Sequence, residues 1–100
     1  MPIKEYREIE QERAKRLAGV LKGLAHPLRL RIVNYLSAGD CTVSELCNTL
    51  EVNQSMVSQH LAPLRMLDLV KVDRSGGKAT YSLAEPQLRN LIDCLTSCEK

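Results

Sequence analysis

Two short helical segments lie about three residues apart, and the hydrophobic period changes from 3.6 to 2 directly after them. No other feature constrains this chain as strongly. In "TVSELCNTLEVNQSMVSQHLAPLR", Thr42 has Glu45 three residues on, the spacing of a capping box. Val43, Leu46 and Leu50 then share one face of a short helix. "EVN" supplies a tight turn, and Asn53 can cap a further helix with the apolar stripe Val57, Leu61 and Leu64. After Asp68 the pattern alternates in "LVKVDRSGGKATYSL": Val70 and Val72 line one side of a strand, and Ala79, Tyr81 and Leu83 line a returning one. The Ser-Gly-Gly-Lys stretch between them tolerates positive φ, which predicts a hairpin.

Helices flank this unit on both sides. About residues 3 to 24 carry the stripe Tyr6, Ile9, Leu17, Val20, Leu21 and Leu24, which predicts a long first helix. "AHP" breaks it, because the residue before Pro27 is driven out of the α region. Pro27 then opens a second helix with Leu28, Leu30, Ile32, Val33 and Leu36, and Gly39 is expected as its left-handed stop. "EPQLRNLIDCLTSC" predicts a last helix with Pro86 in its first turn and an apolar face of Leu88, Leu91, Ile92 and Leu95. The expected architecture is mainly α with a β-hairpin, in the order α-α-α-α-β-β-α, as a single domain over residues 1–100.

The helix from Asn53 onward has an unusual surface. Away from its stripe it carries Asn53, Gln54, Ser55, Ser58, Gln59 and His60, groups that hydrogen-bond without the Glu/Lys mixture of an ordinary solvated helix. Pro63 removes an N–H donor and crowds the carbonyl of Gln59, so a kink near Gln59 or an early end is expected.

The chain has 100 residues, no Trp, no Phe and three Tyr, so Leu, Val, Ile and Ala must build its core. A domain this small is marginal alone, and shared burial in a dimer would stabilise it. The formal net charge of +2 does not by itself argue for nucleic acid. Its distribution is more informative: Lys71, Arg74 and Lys78 bracket the Gly-Gly turn, while Glu5, Glu8, Glu10 and Glu12 crowd the N-terminus. No apolar run approaches a membrane span, and no export signal opens the chain. A cytoplasmic setting with four reduced cysteines is therefore expected.

The run S-x-x-S-Q-H-L-x-x-L-R from Ser55 to Arg65, followed by L-V-x-x-x-R-x-G-x-x-x-x-Y-x-L, resembles the ArsR/SmtB family of bacterial repressors, as do "LAHPLRLRIVNYL" and the helices at both ends. The resemblance covers nearly the whole chain. It implies a winged helix-turn-helix that dimerises through its first and last helices and lays the fourth helix in the major groove of operator DNA. Asn53, Gln54, Ser55, Ser58 and Gln59 are then the expected contacts, since amides pair bidentately with adenine and hydroxyls suit several base edges. His60 could reach a phosphate or pack in a helix–helix seam. Arg74, Ser75 and Lys78 would form the wing, following the phosphate backbone or entering the minor groove. A two-fold dimer implies an inverted-repeat operator.

The family commonly releases DNA when cysteine or histidine ligands take up a metal, metalloid or sulfur species. Its arsenical motif, Cys-Val-Cys-x-x-Cys, aligns with Thr42-Val43-Ser44-Glu45-Leu46-Cys47, where only the last Cys is present and Cys41 stands just ahead. The last-helix zinc pattern is absent, and Asn34 occupies the second-helix place of a persulfide-sensing Cys. What remains is Cys94 and Cys98, four residues apart on one helical face. With a third ligand from Cys41, Cys47 or a partner subunit they could hold As(III) or another thiophilic ion, or react with sulfur species or oxidants. Alternatively these cysteines are apolar filler, with Cys94 and Cys98 continuing the Leu91–Leu95 side.

The leading expectation is a DNA-binding repressor with a thiol-reactive inducer and no required cofactor. The alternatives are the same regulator without a thiol sensor, or a winged helix used only to bind protein. An enzyme using a Cys and His60 is disfavoured, because no arrangement of nucleophile, base and oxyanion donors can be read.

Overall fold

A computed structural model describes residues 5–97. Its helices are α1 (Gln11–Leu24), α2 (Pro27–Ala38), α3 (Val43–Leu50), α4 (Gln54–Met66) and α5 (Gln87–Ser97). Its strands are β1 (Cys41–Thr42), β2 (Val70–Asp73) and β3 (Thr80–Leu83), and a 3-10 turn over Ser75–Gly77 forms the hairpin tip.

Local chemistry explains most of these boundaries. His26 caps α2, its Nδ1 accepting the Leu28 N–H at 3.0 Å, with Pro27 following in the first turn. The capping box closes at α3: Thr42 Oγ1 accepts the Glu45 N–H at 3.2 Å, and Glu45 Oε1 accepts the Thr42 N–H at 2.8 Å. Asn53 Oδ1 accepts the Met56 N–H at 2.8 Å and starts α4. Gly76 and Gly77, at φ 75° and 81°, turn the hairpin.

α2 runs through the middle and contacts α1, α3, α4, α5 and β3. Ile32, Val33 and Leu36 on α2 are fully buried, and Leu46, Val57, Leu61 and Leu64 close over them from α3 and α4. Tyr81 on β3 is the one buried aromatic side chain among the described residues.

Several expectations need correction. α1 begins at Gln11, not near residue 3, and Tyr6 and Ile9 precede it, 71% and 51% exposed. Among the described residues nothing buries those side chains, and an unsupported helical turn is marginal in water. Gly39 is extended rather than left-handed, at φ 163°. The left-handed positions other than glycine are Glu51, φ 57° at the end of α3, and Asp68, φ 59° after α4. The hairpin is part of a three-stranded antiparallel sheet, ordered β1-β3-β2, with Cys41 and Val72 both opposite Tyr81. Two residues are too few to show a period, which hid β1 from the sequence. α4 does not end early but continues through Pro63 to Met66.

Cys94 lies beside Leu91 and Leu95 as the spacing requires, but that side is not the buried one. Leu88 and Ile92 pack inward, whereas Leu95 is 51% exposed and Cys94 is exposed. Cys98 lies outside the described residues.

Candidate nucleic-acid interface

The amphipathic halves of α3 and α4 set the surface. α4 buries Val57, Leu61 and Leu64, so Gln54, Ser55, Ser58 and Gln59 all face solvent. The turn ahead of it is held from two directions. Arg31 Nη2 donates to the Leu50 carbonyl at 3.2 Å, and the Val52 N–H donates to the Cys47 carbonyl at 3.2 Å. With these orphan carbonyls satisfied, the α4 N-terminus is a fixed platform whose first N–H groups and positive dipole end point outward.

An open groove of about 580 Å³ runs between this platform and the hairpin, bordered by Ser44, Gln54, Ser58, Arg74 and Lys78. Residues twenty positions apart thus face one space. Arg74 and Lys78 are exposed and form no ion pair among the described residues, so both charges are available to an anion. Ser44, in the first turn of α3, escaped the sequence reading. Its place next to the capping Thr42 marked it as a helix-start residue, and no local signal pointed it toward α4.

The remaining predicted residues divide by what they already touch. Asn53 spends its carbonyl oxygen on the cap of α4, leaving its NH₂ group free to donate. Ser75 donates both its N–H, at 2.9 Å, and its hydroxyl, at 2.7 Å, to Asp73 Oδ1. The backbone bond first and the hydroxyl bond second hold the Asp73 carboxyl below its usual pKa. Ser75 therefore shapes the wing tip. His60 sits in the seam between α4 and the start of α2: Arg29 Nε donates to its Nδ1 at 3.1 Å, and its ring lies 4.3 Å from that of His26. Burial lowers its pKa, and the charges of His26 and Arg29 lower it further.

The cysteines are dispersed. Cys41 is buried in β1, where burial and then the Glu45 and Asp40 carboxylates push its thiol up to about 11. It is thus held as the unreactive thiol at neutral pH. Cys47 is half-buried against the core, and Cys94 is exposed on α5. Among the described residues no three His, Cys, Asp or Glu side chains converge as metal ligands, and no helix is long and apolar enough to cross a membrane.

Residues 26–72 match the family described as "Bacterial regulatory protein, arsR family". The chain is 36% identical over 85 residues to the HTH-type transcriptional regulator NmtR of Mycobacterium tuberculosis, covering 85% of this chain and 71% of that protein. Its fold superposes on HlyU from Vibrio cholerae with a TM-score of 0.83 at 30% identity, covering 90% of this chain and 98% of the other. It also matches the homodimeric winged helix-turn-helix DNA-binding domain of Mb0332 from Mycobacterium bovis, with a TM-score of 0.78 at 25% identity over 91% of this chain and 86% of that one.

Proposed function

Since this chain belongs to the arsR family of bacterial regulatory proteins, and is a DNA-binding transcriptional regulator rather than an enzyme, we propose that it is a homodimeric repressor reading an inverted-repeat operator through α4. The observation that carries this reading is the shared groove: Gln54 and Ser58 of α4 face the same space as Arg74 and Lys78 of the wing. Gln54, Ser55, Ser58 and Gln59 would meet base edges and nearby phosphates in the major groove, while Arg74 and Lys78 follow the backbone. Asn53 and Ser75 support the two elements, each through the local bond it already makes. His60, occupied by Arg29, is left out of the contact set.

The test is binding to a duplex recovered by in vitro selection from a random pool, measured against salt. Each lost phosphate contact lowers the slope of log affinity against log salt by about 0.9. Arg74→Ala with Lys78→Ala is expected to lower the slope by about 2 per protomer, weakening all sequences alike. An unchanged slope and affinity in this double variant would overturn the wing assignment.

The inducer reading rests on exposure. Of the three described cysteines only Cys94 is exposed in the single chain, on α5 next to Leu95. Cys98, four residues on, supplies a second thiol in sequence. A cytoplasmic thiophile, whether As(III), a soft metal ion or a reactive sulfur or oxidising species, would bind there and shift the dimer toward a weakly binding state. Cys94→Ser with Cys98→Ser is expected to abolish release of the selected duplex by arsenite or persulfide. An unchanged release would leave a repressor with no sensor at these thiols.

A further inference from the structure

One arginine joins three helices at the back of the reading surface. Arg29, in the first turn of α2, donates through Nη1 to the Gly23 carbonyl at the end of α1, at 3.0 Å, and through Nε to His60 Nδ1 in α4, at 3.1 Å. The α1 end sits close here: the Leu67 side chain occupies the space that a Cβ on Gly23 would need. Gly23 and Leu24 are the only buried residues of α1, so this contact is where that helix attaches to the domain.

Both imidazoles in the cluster are acceptors at Nδ1: His60 takes the Arg29 N–H, and His26 takes the Leu28 N–H that starts α2. The His60 ring that accepts the Arg29 bond is therefore neutral, with its proton on Nε2. An imidazolium has no acceptor. A proton taken up by His60 would remove the acceptor for Arg29 and set two cations 3.1 Å apart. The charged and titratable groups that act on the His60 ring are His26 and Arg29, both at the start of α2, and from α1 the uncharged Gly23 carbonyl accepts from Arg29.

We propose that Arg29 is a positioning residue that sets α4 against α1, and that a proton on His60 releases this bridge, so that DNA binding weakens on acidification. The proposal rests on α4 being the reading helix. Its sign is the opposite of the generic one, because added positive charge ordinarily strengthens binding to DNA. His60 has a lowered pKa in the fold, from burial first and then from His26 and Arg29. The unfolded chain therefore takes up the proton first. The stability held by neutral His60 is full above the ordinary histidine pKa, near 6.5, and is lost as pH falls through that value toward the lowered one.

The experiment is affinity of the full chain for the selected duplex at constant ionic strength, from about pH 8 to about pH 5. Wild type is expected to lose affinity on acidification, by up to about tenfold per pH unit per protomer once the ring titrates. His60→Asn places a non-titrating oxygen near the position of Nδ1 and is expected to flatten the profile to within about twofold. Arg29→Gln is expected to bind weakly at every pH with the histidine-dependent slope gone. Wild-type affinity that holds or rises on acidification, or a His60→Asn profile as steep as wild type, would overturn the proposal. Nitrogen-15 NMR of the free protein decides the bridge without DNA: the Arg29 Nε–H resonance should be lost along the His60 titration curve. Independence of the two signals sinks the bridge, whereas failure to recover any bound duplex sinks the reading of α4 and leaves the NMR result standing.

Discussion

Gln54→Ala is expected to weaken binding to the selected operator by about 1–3 kcal/mol per protomer, roughly 5- to 150-fold, and to relax base preference at one position of each half-site. Gln54 is the first residue of α4, exposed, and borders the groove with Ser58 one turn further on. Its amide offers a donor and an acceptor in one plane, the pattern that adenine presents in the major groove. The substitution isolates reading from folding. Alanine favours a helix, and the cap of α4 belongs to Asn53, which is untouched. Asn53→Ala would instead remove that cap and confuse the two effects. Competition against operators with each base replaced is the deciding measurement. A loss equal for every base would turn Gln54 into a phosphate contact, and full affinity with full discrimination would remove it from the interface.

Leu21→Glu combined with Leu95→Glu is expected to give a folded monomer whose operator affinity is about 10²- to 10⁴-fold lower. In this chain Leu17 and Leu21 of α1 are 42% and 57% exposed, and Leu95 of α5 is 51% exposed. Leu17 and Val20 border a mostly apolar groove of about 470 Å³ together with Leu88 and Leu91, so α1 and α5 face one space. Leu17, Leu21 and Leu95 are the three most exposed leucines among the described residues, and a symmetric partner would bury them. The exposure of both side chains means that glutamate costs the isolated fold little. Two half-sites bound together gain the effective concentration of a linked pair, which a monomer forfeits. Sedimentation should show half the wild-type mass with an unchanged circular dichroism spectrum. Wild-type mass and affinity in this variant would place the dimer contact elsewhere.

Much of the architecture is written in neighbouring residues. Thr42 with Glu45 and Asn53 with Met56 bond within three positions, and Gly76 and Gly77 take positive φ side by side, so the sequence alone marks where α3, α4 and the hairpin begin or turn. Where the signal is short or the residue type unusual, it fails. β1 is two residues long, and the left-handed ends at Glu51 and Asp68 fall on side chains with no glycine to announce them. For α1 the apolar period marks the helix over Gln11–Leu24 but also extends it back to Tyr6 and Ile9, which precede it.

The sequence by itself determined which face of α4 is free: the period of Val57, Leu61 and Leu64 turns Gln54, Ser55, Ser58 and Gln59 outward wherever that helix is placed. The tertiary structure alone decided what stands opposite them and behind them. Ser44, Gln54 and Lys78 share a groove, and Arg29 meets His60 across 31 positions of chain. The physical reason is range. Caps, periods and turns are set by bonds between residues three or four apart, whereas a groove or a bridge between helices exists only once the Ile32, Leu36 and Leu61 core has fixed the path of the backbone.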